Sequence, residues 1–197
     1  MASAQPTTTK DRLLIVGRDL LWSKGFNDTG IQEVLKISGA PKGSFYHHFT
    51  SKEDFGLQVL DGFARDSYDQ LDASLSDPSR TPLDRLRVFF TGQRDIFVEK
   101  GCRGGCLIGN FGQELSDTHD AFRARVEAHM KQFLARLVRC LVEARESGEL
   151  SELVAVADYG EVLFSAWHGA MLRMKVQKSI APIDAFLRIY FSSTPTA

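Results

Sequence analysis

Cysteine is scarce in this chain: three residues of 197, an odd number, exclude a disulfide framework and point to a reducing, cytoplasmic setting. Long apolar runs are missing as well. No uncharged stretch approaches the ~20 residues that a membrane helix needs, and the start, MASAQPTTTK, lacks the apolar core of a signal peptide, so no membrane partner is expected. There is no β-hairpin signal, no internal repeat and no low-complexity tract, which leaves an all-α protein. No spacing matches a nucleophile elbow, a metal-binding helix or a phosphate loop. Neither a metal nor a cofactor is therefore expected, and an all-helical enzyme is the alternative from another class.

Charge of one sign is also lacking, since the net value is −1. Its distribution is uneven. Residues 1–52 hold seven Lys and Arg against four Asp and Glu, a net of +3, so the remainder carries −4. A cationic head can meet phosphates while the acidic body does not. The hydrophobic content of 43% is ordinary for a globular protein, and the length allows one or two compact domains.

What is present centres on Thr29 to Lys52, TGIQEVLKISGAPKGSFYHHFTSK. Thr29 can cap a helix whose Ile31, Val34 and Leu35 share one face, and Gly39 can end it in a left-handed conformation. Pro41 suits the first turn of a second helix reaching His47. Two short helices across a tight turn form a helix-turn-helix, whose second helix meets base edges in the major groove. That helix carries Lys42, Ser44, Tyr46, His47 and His48, with Gly43 allowing close backbone approach. Phe45 and Phe49, at i and i+4, point inward and seal the small domain.

The run Lys42-Gly43-Ser44-Phe45-Tyr46-His47-His48-Phe49, with Thr29, Ile31, Val34, Gly39 and Lys52, resembles the DNA-binding domain of the TetR family of bacterial transcription regulators. The motif covers about the first third of the chain. The resemblance implies that Gly30, Gln32, Lys42, Gly43, Ser44, Tyr46, His47 and Lys52 face double-stranded operator DNA. Position 30 departs from the pattern: glycine replaces a side chain able to meet a phosphate, so that contact passes to Thr29 or to a backbone N–H.

The remaining elements follow in order. Thr8 or Thr9 caps a helix to about Ser23, preceded by a polar tail, Ala2 to Thr8, that reads as disordered and able to touch phosphates. Ser51-Lys52-Glu53-Asp54 starts a helix to about Leu75, linking reader to body. The breaker Asp77-Pro78-Ser79-Arg80-Thr81-Pro82 precedes a helix to about Glu99. Then come a Gly-rich loop, a short helix from Cys106 to Leu115, a long amphipathic helix to about Glu146, and helices near Val154–Gln177 and Ile183–Phe191. The expectation is about nine helices in two domains, with residues 1–54 a three-helix helix-turn-helix head and 55–197 an effector-binding and dimerisation body. The helix near Val154–Gln177 is apolar on more than one side, and the resemblance implies that it and the last helix pair with a second copy, Gly169 and Ala170 allowing close approach. A homodimer also spaces two heads about one DNA turn, ~34 Å, apart. A buried helix of a monomer would show the same pattern.

The loop Gly101 to Gly105 places Cys102 four residues before Cys106, which stands at a helix start beside Arg103. The helix dipole and a nearby cation favour a thiolate, so Cys106 is the candidate reactive thiol. The segment GCRGGCLIGNFGQEL resembles a TetR subgroup that responds to N-ethylmaleimide-like electrophiles or small unsaturated acids. Alternatives remain: a redox disulfide with Cys102, or an inert, buried Cys106 with a non-covalent effector. A zinc site lacks further nearby ligands. Cys140, amid Leu137, Val138 and Leu141, reads as core. Phe89, Gln93, Phe97, Asn110, Trp167 and His168 are candidates for an effector cavity, with Lys175 two turns past His168 as a cation for a carboxylate. The same list also describes an ordinary core. Taken together, the sequence points to a repressor released from a palindromic operator by a small effector or by modification of Cys106.

Overall fold

The computed structural model describes residues 8–191, and every regular element among them is helical. In order these are α1 (Thr9–Lys24), α2 (Ile31–Ser38), α3 (Ser44–His48), α4 (Lys52–Leu75) and α5 (Pro82–Glu99), then α6 (Leu107–Leu115), α7 (Asp120–Glu146), α8 (Val156–Gln177) and α9 (Ala181–Phe191). The expected polar tail lies outside the described residues except for Thr8. Among the described residues no helix is long and apolar enough to cross a membrane.

The helix ends follow local chemistry. Thr8 accepts from the Asp11 N–H at 3.1 Å while the Asp11 carboxylate accepts from the Thr8 N–H at 3.1 Å, a reciprocal cap. Thr81 caps α5, with Pro82 in its first turn. Gly39 ends α2 at φ 65°, the left-handed position that favours glycine. Two expectations need correction. The N-cap of α2 is Gly30 rather than Thr29, and no side chain caps it. The recognition helix α3 begins at Ser44 rather than Pro41, because Pro41 to Ser44 close a turn, the Ser44 N–H donating to the Pro41 carbonyl at 2.9 Å.

The described residues divide into two compact units, the first comprising 8–65 and 107–126, the second 66–106 and 127–191. The sequence-based cut after residue 54 follows the reading head alone. The first unit adds α6 and the start of α7, and α4 and α7 each contribute residues to both.

In the first unit α1 packs against α2, α3 and α6. Phe45, Phe49 and Phe55 are essentially fully buried, with ring centroids 4.9–5.2 Å apart. A Cβ on Gly17 would stand 2.2 Å from Phe55 Cζ, so any larger residue would push α1 off that ring. The second unit has the larger core. Phe90 is fully buried, with Trp167, Phe186 and Phe191 ring centroids at 4.8, 5.2 and 5.6 Å. A Cβ on Gly160 of α8 would meet Val138 Cγ2 at 2.7 Å, so glycine sets the approach of α8 to α7. Phe90→Ala is expected to cost about 3–5 kcal/mol of stability, because three surrounding rings cannot collapse into the space. Equilibrium chemical denaturation checks this, and a cost below about 1 kcal/mol would contradict the described packing.

Candidate nucleic-acid interface and sensor region

The reading face is built by burying the opposite side of α3. Phe45 and Phe49 turn into the head, which leaves Lys42, Gly43, Tyr46 and His47 exposed on the other side; Tyr46 retains 67% of its surface. Ser44 is half-buried, and its hydroxyl donates to the Pro41 carbonyl at 2.6 Å, so it shapes the turn as well as fronting the helix. Gln32 and Gly30 are exposed at the start of α2. Lys42, Tyr46 and His47 therefore present donors and an aromatic edge together, the inventory that suits phosphates and base edges.

Two expected members of the face are placed differently. Thr29 is 1% exposed, and its hydroxyl donates to the Gly25 carbonyl at 2.7 Å. It is withdrawn from the surface because the chain uses it to close the turn between α1 and α2. Lys52 is half-buried: its Nζ lies 4.6 Å over the Phe26 ring and donates to the Asn27 carbonyl at 3.3 Å. Lys10 joins the head's cations, with Nζ 5.7 Å over the Phe49 ring. A readable signal for it existed, since a lysine in a helix's first turn opposes the dipole and calls for another reason to be there. Lys36, exposed on α2 one turn after Gln32, is a further cation on this side of the head.

The thiol loop has an unusual backbone. Gly101, Gly104 and Gly105 have φ of 63°, 81° and 82°, and Cys102 itself sits at 56°, a conformation that costs a non-glycine residue about 1 kcal/mol or more. The Cys102 N–H donates to the Phe97 carbonyl at 2.8 Å, and its side chain is buried in the core of the second unit. Cys106 is half-buried against the same core and immediately precedes α6. Both thiols are free. Cys140 is 2% exposed, and burial pushes its thiol up to about 11, as suits an inert core residue.

The expected cavity residues are only partly gathered. Phe97 and Trp167 lie 6.1 Å apart by ring centroid, and Phe89 contacts Phe90 and Phe133 at 5.2 and 5.9 Å. Gln93 bonds Gln70 on α4 at 3.1 Å. His168 packs against Phe164, centroids 4.5 Å apart. Lys175 is exposed on α8, and Asn110 belongs with α6 in the first unit. Sequence reasoning missed a polar cluster between α4 and α7. The Tyr68 hydroxyl donates to the His129 carbonyl at 3.1 Å and meets His129 Nδ1 at 2.9 Å, while Arg136 stacks 4.2 Å from the Tyr68 ring and donates to Asp72 at 3.0 Å. The signal was His129 itself, a polar residue one position before Met130 on an otherwise apolar stripe. Among the described residues no buried side-chain polar atom lacks a partner.

Known proteins resemble most of the chain. The model for bacterial regulatory proteins of the tetR family matches residues 13–59, and that for the tetracyclin repressor-like C-terminal domain matches residues 82–190. The transcriptional repressor DhaR of Mycobacterium sp. strain GP1 is 33% identical over 95% of this chain and 92% of its own length. The transcriptional regulator AcuR of Cereibacter sphaeroides is 35% identical over 90% and 81%. The crystal structure of the reduced form of Escherichia coli NemR superposes with a TM-score of 0.87 at 29% identity, covering 96% of this chain and 99% of that one.

Burial pushes the His168 imidazole down from 6.5 to about 4. The unfolded chain therefore takes up a proton near its ordinary pKa that the folded chain refuses until about pH 4. Stability should fall as pH drops from about 6.5 to 4, by up to about 3 kcal/mol from this group. Denaturation curves across that range check it: His168→Gln should flatten the slope, and an unchanged slope would show that this imidazole is not held neutral.

Proposed function

This chain belongs to the TetR family of bacterial regulatory proteins and is a DNA-binding transcriptional regulator, and from that premise we propose a homodimeric repressor released from a palindromic operator by a small effector. The observation that carries the reading is the one-sided α3, with Phe45 and Phe49 buried beneath an exposed Lys42, Tyr46 and His47. Such a surface can enter a major groove only as far as its short length allows, so one copy reads a few base pairs. Two copies held about one turn apart read a palindrome.

Support for the second copy comes from α8 and α9. Val162, Val176 and Ile189 keep 59%, 74% and 80% of their surface, and an open groove of about 350 Å³ between the two helices is lined by Gly169, Arg173 and Ala185. A Cβ on Gly169 would meet nothing within 4 Å, which suits close approach of a partner helix. A ligand releases the DNA only through a difference in affinity between the DNA-fit and DNA-unfit states.

The thiol reading is favoured by the position of Cys106, half-exposed at the start of α6 and following a strained loop. Its thiolate would add to the β-carbon of an unsaturated carbonyl compound. A C–S bond forms, the C=C π bond is lost, and a proton from solvent ends on the α-carbon. A non-covalent effector in the same body is the second reading.

Two measurements test these readings. Against a duplex enriched from random DNA by the wild-type protein, Lys42→Ala and Tyr46→Ala should each weaken binding by about tenfold or more with the dimer intact by light scattering. Wild-type affinity in both variants would remove them from the reading surface. Separately, N-ethylmaleimide should release the wild-type protein from that duplex, while Cys106→Ser stays bound; normal release of the variant would leave the non-covalent reading.

A further inference from the structure

The turn between α1 and α2 is held by an acidic side chain from a different part of the chain. Glu114, on α6, accepts from two successive backbone amides: the Phe26 N–H reaches one carboxylate oxygen at 2.9 Å and the Asn27 N–H reaches the other at 2.7 Å. Successive N–H groups form a concavity suited to an anion, and charge-assisted bonds to a carboxylate are the strong kind. The preceding residue is shaped for the same contact. Gly25 has φ 86°, a conformation that favours glycine, and a Cβ there would stand 2.6 Å from the Glu114 oxygen and displace the carboxylate.

Other elements converge on the same few residues. The Phe26 ring packs edge-on against Phe111 of α6 at 6.2 Å and Phe122 of α7 at 4.9 Å, and Lys52 of α4 covers its far side. A Cβ on Gly56 would meet both Phe26 and Phe122 within 2.9 Å, so this site has no slack for a larger residue. Thr29 closes the turn through Gly25. The helix that follows, α2, has no side-chain cap of its own. It follows directly on the Gly25–Thr29 turn, so what fixes that turn contributes, with the burial of Val34 and Leu35, to the direction in which α2 leaves α1.

We infer that Glu114 is a positioning residue for DNA binding: its carboxylate, seated on the Phe26 and Asn27 amides, fixes the direction in which the α2–α3 pair leaves α1. The inference rests on the DNA-binding reading of α3 and adds a residue outside the helix-turn-helix to it. Without the carboxylate the head samples several tilts, and apparent affinity falls by the fraction that still fits the groove.

The test compares wild type, Glu114→Ala and Glu114→Gln by fluorescence anisotropy on a duplex enriched from random DNA by wild type, and by amide hydrogen exchange without DNA. Glu114→Ala should bind roughly tenfold more weakly, and Phe26 and Asn27 should exchange at least about tenfold faster. Glu114→Gln should lose most of the affinity too, since an amide accepts one N–H but turns a donor toward the other. Formate added at constant ionic strength should restore part of the Glu114→Ala affinity by occupying the vacated amides, with no gain for wild type. If Glu114→Ala does not fold, Glu114→Gln carries the same comparison. Wild-type affinity in the variants overturns the inference, as does weakened binding with both amides still protected. Failure of wild type to enrich any duplex would strike the DNA-binding reading instead, and exchange at the two amides would still decide whether the carboxylate holds the turn.

Discussion

A helix of five residues cannot hold itself together in water, and the reading surface of this protein is carried on one, Ser44 to His48. Its order comes from burial. Phe45 and Phe49 are 0% and 1% exposed, and with Phe55 they form a tight aromatic seat that fixes the helix along its length and its rotation about its own axis. Because rotation is fixed, Tyr46 and His47 face outward together, beside an exposed Lys42 in the turn just before the helix. The head therefore gains its chemistry on one side from packing on the other.

Orientation of the head within its unit is a separate matter, decided at the turn from Gly25 to Thr29. There the polar backbone is satisfied by side chains, Glu114 from α6 for two amides and the turn's own Thr29 for a carbonyl, while Phe26 anchors the apolar side. Apolar burial supplies most of the stabilisation and is tolerant of direction, whereas the carboxylate is directional. Together they hold a short loop more narrowly than either could.

The second unit shows the complementary strategy. Its core is dense with aromatics around Phe90 and Trp167, and its polar groups occur as paired sets, Tyr68 with His129 and Arg136 with Asp72. Such paired groups let polar side chains sit against an apolar core without an unsatisfied donor. The loop from Gly101 to Gly105 departs from this economy by holding Cys102 in a left-handed conformation, a strain more often kept at working sites than in plain connections.

Much of this was legible in the residues alone. Capping and breaker residues marked the helices, Thr8, Gly39, Ser51 and Thr81 with Pro82 among them, and the run from Lys42 to Phe49 announced the helix-turn-helix, because these signals act over one or two turns and need no distant partner. The inward set of Phe45 and Phe49 followed from their spacing for the same reason. Only the tertiary structure decided that Thr29 closes a turn instead of facing outward, that Lys52 rests on Phe26, that α6 groups with the head, and that Glu114 seats on two amides 88 and 87 residues away. Those contacts join segments remote in sequence, where no periodicity or cap can register them, and they exist only once the chain has closed on itself and brought a carboxylate to two waiting N–H groups.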